Sequence, residues 1–484
     1  MAFDEAQYRA LIDGLECSEI MLSALEHSAR MDAEYYSKRN LLLQERLNAV
    51  GAHPLSAYGA TLDCSAFYPS ITGAYSHDRS KIPFLRVDEI QAGLVRITDN
   101  TVFLPEELLR KNSKTIARAY PGDIIIAKGG NTLAKVGLVT DEFPYYAVCR
   151  DVIVLRTDRL NGLNPYFLWA FLHSSYGQGI LWRSASQTGQ PHLTLPAILE
   201  IKIPDAGSIA PRIEKCYKES AALQQQSDDL FASARDILRS ALKFDRDSIS
   251  AENTTEKSFS AIAAAGRLDA EYYQPKYDDL FARLHQSPTM DLGSMVDITK
   301  SIEPGRAYYG DTGVPFIRVS DLSPMGVRPP SVHIPHDIEP SIERLYPRRD
   351  TILFSKDGSV GIAYKVEEDM EAVTSGALLH LRIKEGMDVL PDYLTLVLNS
   401  ALVRLQAERD ASGTVIEHWS LDDIRQIVIP LVPLAVQQEI AVRVQESFVL
   451  RRSAQQRLDG AVRAVEIAIE QDEMVALSFL HART

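Results

Sequence analysis

The feature that most constrains this chain is that it is written nearly twice. RMDAEYY at 30–36 returns as RLDAEYY at 267–273. Four further blocks follow in the same order. IPFLRVDEI at 82–90 answers to VPFIRVSDL at 314–322, and PGDIIIAKGGNTLAKVGLV at 121–139 to RRDTILFSKDGSVGIAYKV at 348–366. NPYFLWAFLHSS at 164–175 answers to PDYLTLVLNS at 391–400, and HLTLPAILEIKIP at 192–204 to HWSLDDIRQIVIP at 418–430. The offset drifts only from 237 to 226 positions along a chain of 484 residues. A period above 200 residues is far too long for a solenoid, whose repeats run to roughly 20–50 residues. The chain is therefore read as a duplicated domain.

Both copies follow one pattern. A short apolar segment holds an arginine (Phe84-Leu85-Arg86; Phe316-Ile317-Arg318). Strand-like stretches with glycine-marked turns follow: Ile124-Ile125-Ile126 before Gly129-Gly130, and Ile352-Leu353-Phe354 before Asp357-Gly358. Asn164-Pro165 and Pro391-Asp392 are helix starts. A glycine-containing loop and a last strand ending at proline (IKIP, IVIP) close each copy. Each copy is thus a mixed α/β (α+β) domain of roughly 170 residues, an ordinary domain size.

A long helix is expected after each copy. Residues Ile213, Cys216, Ser220, Leu223, Ser227, Leu230, Ala234, Ile237 and Ala241 keep a 3–4 spacing of small or apolar side chains. Ile440, Val444, Ser447, Arg451, Ala454, Leu458, Ala461, Val465 and Ala468 do the same, with Arg451 interrupting the seam. Four heptads at this spacing are a coiled-coil signature, although two amphipathic helices lying on their own domains would show the same period. The expected organisation is a first domain over 1–210, a spacer helix over 211–245, and a second domain over 246–433 that opens with a polar linker at 246–265. A second spacer helix follows over 434–475, then a tail over 476–484.

Composition narrows the class. The net charge of −14 argues against indiscriminate coating of nucleic acid. Charge is uneven, however: residues 1–35 hold two basic and eight acidic side chains, whereas 79–135 hold ten basic and six acidic. A local basic face on an acidic protein fits one defined docking surface. The four cysteines, Cys17, Cys64, Cys149 and Cys216, have neither zinc-ligand spacing nor the density of a disulfide framework. No apolar run approaches the ~20 residues of a membrane helix, and the acidic start has no basic signal-peptide region. A cytoplasmic protein is expected.

The layout of two domains, each followed by a long helix, resembles the specificity subunit of type I restriction–modification systems. The resemblance is carried by RLDAEYYQPKYDDL at 267–280, VPFIRVSDL at 314–322 and HWSLDDIRQIVIPLVPLAVQQEI at 418–440. The last string, a strand ending in proline followed by Pro-Leu and a glutamine-rich helix start, is the most specific. The first copy lacks it, reading IKIPDAGSIAPRIEKC. The resemblance implies a non-catalytic subunit of a DNA methylation complex in phage defence. Its two target-recognition domains would read the halves of a split duplex DNA target. Its paired helices would form an antiparallel coiled coil that acts as a ruler. Two methylation subunits, and a restriction subunit as a further partner, would dock on it, and no cofactor is implied for this chain.

Catalytic readings find little support. No segment fits GxxxxGK[ST]. Asn164-Pro165-Tyr166-Phe167 resembles the Asn/Asp-Pro-Pro-aromatic loop of amino-methyltransferases but lacks its second proline, so helix capping explains it better. Asp123…Lys128 and Asp350…Lys356 lack the second acidic residue of a metal-dependent nuclease core: Ile126 and Phe354 stand there. No metal set accompanies them or the scattered histidines.

For DNA reading, Arg and Lys suit guanine and phosphate, and Asn and Gln suit adenine. The first copy offers Arg79, Lys81, Arg86, Lys111, Lys114, Lys128, Asn131 and Lys135, then Arg183, Ser186, Gln187, Gln190 and His192. The second offers Arg306, Tyr308, Tyr309, Arg328, Arg348, Arg349 and Lys356, then Arg409, Ser412, Thr414 and His418. Arg86 and Arg318 share one repeat position, which fits a structural role equally well. From the residues alone, two classes stay open: a DNA-reading specificity subunit, and a protein-interaction scaffold with duplicated domains that reads no DNA.

Overall fold

The run Ile124-Ile125-Ile126-Ala127 shows why the core forms where it does. Successive strand side chains face opposite sides of a sheet. Ile124 and Ile126 accordingly join one apolar cluster, with Trp169 and Leu172, while Ile125 and Ala127 join another, with Phe84 and Tyr146. A strand covered on both faces has no polar side to show, so it reads as an unbroken apolar run. Ile352-Leu353-Phe354 does the same: Ile352 and Phe354 face Trp419 and Tyr393, and Leu353 faces Ile317 and Leu378.

The computed structural model describes residues 4–482 apart from 24, 26–29, 67, 99, 187–188, 206, 245–251, 253 and 412–416. Contacts divide the chain into two units, Met1–Leu223 with Arg452–Thr484, and Gln224–Arg451.

In the first unit, a six-stranded sheet runs in the order Thr61–Cys64, Val152–Arg156, Ile124–Ala127, Val136–Leu138, Leu94–Val95, Ile90–Gln91. A second sheet runs Phe103–Leu104, Ile82–Leu85, Tyr146–Val148, Arg118–Ala119, with Ile82–Leu85 parallel to Tyr146–Val148. His53–Pro54 pairs with Lys202–Ile203. Helices Pro165–His173 and Ser175–Ser184 cover the larger sheet. The first of them starts as the sequence indicates, with Asn164 Oδ1 accepting from the amides of Tyr166 at 2.9 Å and Phe167 at 3.2 Å and proline in its first turn.

The second unit repeats the central strand order of this plan with fewer strands in each sheet. Its main sheet runs Val296–Lys300, Leu378–Ile383, Ile352–Ser355, Ala363–Lys365. A smaller sheet runs His333–Ile334, Val314–Ile317, Val373–Thr374, and Val314–Ile317 is again parallel to its partner Val373–Thr374. Thr289–Asp291 pairs with Val428–Pro430, so in both units the proline-ended strand returns to a strand near the start of its domain. The internal repeat is therefore one of topology as well as of letters.

The long helices span Ala210–Leu242 and Leu434–Glu470. Each unit holds the beginning of one and the end of the other. In the first unit, the Ser220 hydroxyl donates to the Ala454 carbonyl at 2.8 Å, and Arg457 pairs with Glu219. In the second, Arg443 Nε donates to Ser233 Oγ at 3.0 Å and Arg451 Nη2 to Asp228 Oδ1 at 2.6 Å. Partner numbers rise on one helix as they fall on the other, so the pairing is antiparallel.

The expected seam residues Ile213, Cys216, Ser220, Ser227 and Ala234 are buried, as are Ile440, Val444, Ser447, Ala454, Leu458, Ala461 and Val465. Ala241 is exposed and Leu238 is buried instead, because a straight helix drifts off a strict heptad. Arg451 interrupts the seam by reaching Asp228. The linker expected at 246–265 lies partly outside the described residues, and its end is helix Phe259–Ala265, capped by Ser258. The segment expected as a tail is helical through His481, within helix Glu473–His481.

Candidate nucleic-acid interface

The repeated heptapeptide is a clamp. Arg30 Nε and Nη2 grip both Asp32 oxygens at 2.8 and 2.6 Å, and Nη2 also donates to the Ala185 carbonyl at 2.9 Å. Arg267 holds Asp269 at the same two distances and donates to the Asp410 carbonyl at 3.1 Å. Tyr36 and Tyr273 each donate back to the arginine carbonyl, at 3.3 and 2.7 Å. Each arginine therefore satisfies carbonyls left open where helix Ser175–Ser184 or Ala401–Asp410 ends. These hydrogen bonds hold the Asp32 and Asp269 carboxyls below the usual carboxylate range.

Arg183 and Arg409 belong to the same clamp. Their guanidiniums lie 3.8 Å from the Tyr35 ring and 5.1 Å from the Tyr272 ring. Arg183 is buried and donates to the Tyr35 carbonyl at 3.0 Å. Burial pulls its guanidinium below its usual value. Arg86 and Arg318 likewise brace short helical turns, with Glu89 and Asp321 accepting from their backbone amides at 2.8 and 2.9 Å.

A different group of candidates converges on one ledge in each unit, just past the central strand. In the first unit, the amide of Leu193 donates to the Lys128 carbonyl at 2.7 Å, and Gly129 bridges His192. The turn Gly130–Thr132 carries exposed Asn131, with Gln190 and His192 exposed beside it. In the second unit, the amide of Trp419 donates to the Lys356 carbonyl at 2.8 Å, and strand Asp357–Gly358 pairs with Glu417–His418. Here Lys356 Nζ and His418 Nδ1 both meet Asp357, the latter at 2.8 Å. Asp357 as a partner of His418 was missed from the sequence, because a residue before glycine reads only as a turn.

The other candidates are more scattered. Lys114, Arg306 and Tyr308 are exposed. Arg79 pairs with Glu142, Lys111 with Glu107 at 2.9 Å, and Arg348 with Asp369 at 3.1 Å. Lys81 meets Ser76 at 3.1 Å, Lys135 the Val87 carbonyl at 3.3 Å, and Arg328 the Ser320 carbonyl. Arg349 lies 3.8 Å from Asp350, and Tyr309 stacks near Phe316. Gln187, Ser412 and Thr414 lie outside the described residues.

Asp123 is a turn carboxylate rather than part of a metal shell. It accepts from the Tyr120 amide at 2.9 Å and from Arg156 at 2.8 Å, and burial pushes its carboxyl up despite the arginine. Among the described residues, no cluster of three or more His, Cys, Asp or Glu could hold a metal, and no helix is long and apolar enough to cross a membrane.

Residues 288–448 match the family model of the type I restriction modification DNA specificity domain. By this match, residues 288–448 are a specificity domain of the type I restriction–modification family. Specificity subunits recognise DNA, are not themselves catalytic, and assemble with the other restriction–modification subunits. The matched span takes in the second-unit ledge and the start of the second long helix. The first unit lies outside the matched span and shares the second unit's central strand order through the chain's own repeat. Solved structures similar to this chain include the type I restriction-modification S subunit from M. genitalium, at 13% identity and TM-score 0.32, covering 89% of this chain and 95% of that one. Another is the HsdS subunit from Thermoanaerobacter tengcongensis, at 14% identity and TM-score 0.27, covering 88% and 96%. The assignment rests on the family match and not on these distant likenesses. No curated protein sequence matches the chain.

Proposed function

We propose that each half of this specificity subunit reads one half of a bipartite duplex target. The helix pair sets the gap between the half-sites and offers equivalent places to two identical methylation subunits. One observation carries this: the two units share the order of their central strands, the parallel pairing of Ile82–Leu85 and Val314–Ile317 with their neighbours, the arginine clamp and the ledge. Two similar readers on one chain suit two short, different half-sites, and a repeated framework suits two copies of one partner. We assign base and phosphate contacts chiefly to the ledges, with Lys128, Asn131, Gln190 and His192 in the first domain and Lys356 and His418 in the second. Exposed Lys114, Arg306 and Tyr308 add contacts beside them.

The test is to express the chain with its methylation partner and sequence the methylated sites. Two short specific segments separated by a fixed, unread gap are expected. One continuous motif, or methylation without sequence preference, would contradict the proposal. Binding of the complex to a duplex bearing the motif should weaken steeply with salt, as phosphate contacts require.

A further inference from the structure

The two ledges differ at the residue that pairs with their histidine. In the second unit, exposed His418 is held at both ends. Its backbone pairs with Asp357, and the buried Trp419 that follows it is tied to the Lys356 carbonyl at 2.8 Å. Its Nδ1 lies 2.8 Å from Asp357 Oδ1, and Asp357 is itself held by Lys356 Nζ. A surface side chain normally keeps its rotamer freedom, and ordering it costs entropy. Here that freedom is removed from a residue whose side chain is still 62% exposed.

A carboxylate only accepts hydrogen bonds, so the bonded Nδ1 carries a proton, and in that tautomer Nε2 is the acceptor. Nε2 has no hydrogen-bond partner among the described residues. A fixed, outward acceptor complements an exocyclic amino group, such as N6 of adenine or N4 of cytosine in the major groove.

The first unit is built differently at the same position. Gly129 stands where the second unit has Asp357. A Cβ there would come within 3.0 Å of His192 Nδ1 and 3.4 Å of the Pro191 carbonyl. The first ledge carries glycine there, with little room for a Cβ against His192, so it has no counterpart of the aspartate–histidine pair. Two readers with one backbone plan but different chemistry at one position are what two different half-sites require.

We infer that His418 reads a base edge bearing an exocyclic amino group in the second half-site, with Asp357 as the positioning residue that sets its ring. The inference rests on the bipartite reading proposed above. It is tested by sequencing methylated sites made by the full complex carrying wild-type chain, His418→Ala, Asp357→Ala or Asp357→Asn. His418→Ala and Asp357→Ala should relax the preference at one and the same A·T or G·C pair of the second half-site by about tenfold, the scale of one good base contact. Asp357→Asn keeps an oxygen that accepts from Nδ1–H and should retain the preference. The first half-site should be unchanged in all three, which also shows that the chain is folded and assembled. Wild-type preference at every second-half position in His418→Ala would overturn the inference. So would a uniform fall in methylation with preference intact, which would make the pair a phosphate contact or a brace. A wild-type complex that shows no second half-site would instead remove the bipartite reading itself, and would be seen before any variant is made.

Discussion

Ser227 Oγ and Ser447 Oγ lie 3.0 Å apart, both buried where the two long helices cross in the second unit. Ser220 meets the Ala454 carbonyl in the first unit, and the repeat relates the two contacts, since 220 corresponds to 447 and 227 to 454. Small polar side chains at these positions let the helices approach while satisfying each other. Replacing Ser227 alone by Ala leaves a buried hydroxyl without its partner and should cost about 1 kcal/mol or more. The double variant Ser227→Ala, Ser447→Ala should cost less than the two single changes added together. Chemical denaturation of the four proteins of this cycle measures the coupling, and strict additivity would show that the pair is not a linked contact.

The arginine clamp predicts an acid-labile contribution. The Asp32 carboxyl sits below its ordinary value when folded because Arg30 bonds to it. Its stabilisation is therefore fully present above the unfolded carboxylate pKa and disappears as pH falls through the lower, folded value. Asp32→Asn should cost about 1–2 kcal/mol at neutral pH. The gap from wild type should close below the carboxylate range. Asp269, more exposed, should show a smaller effect of the same sign. A gap that does not vary with pH would contradict this account.

His380 predicts the opposite kind of group. Burial lowers its pKa to about 4, and its Nε2 meets Thr374 Oγ1 at 2.8 Å. The unfolded imidazole takes up a proton at higher pH than the folded one, near 6.5. Stability should therefore fall as pH drops from about 6.5 towards 4, by at most about 1.4 kcal/mol per pH unit. His380→Gln should flatten that part of the pH profile. Denaturation midpoints across this range supply the check, and an unchanged slope in the variant would remove His380 as its source.

Most of the fold was legible because apolar letters record burial. The continuous runs 124–126 and 352–354 announced strands, and the 3–4 spacing announced both long helices. Asn164 announced its own helix cap. Side-chain partnerships between distant positions were not legible. Nothing near Arg30 indicates that its carbonyl partners stand at 184–185, and nothing near His418 indicates Asp357. Arg183 and Arg409 looked like available cations because sequence shows charge without showing the ring it lies on. The repeat could have signalled the clamp, since an arginine two before an aspartate recurs in both copies.

The helix pair predicts a spacing rule. Helix Ala210–Leu242, with 33 residues, spans about 50 Å at ~1.5 Å per residue. Inserting one heptad into both long helices keeps the 3–4 seam and adds about 10 Å, or roughly three base pairs of gap. Half-site sequences should stay as they are. Inserting three residues instead rotates the seam and should impair folding or assembly. Methylated-site sequencing reads the gap directly, and an active seven-residue insertion that keeps the original gap would show that these helices are not the ruler.

The most direct measurement of the central claim is a domain exchange. Replacing residues 80–205 with the same block from a related specificity subunit leaves the helices and the second domain untouched. Sequencing the sites methylated by the assembled complex should then show one new half-site, the second half-site unchanged, and the same gap between them. If both half-sites changed together, or neither did, the two-reader account of this chain would be contradicted.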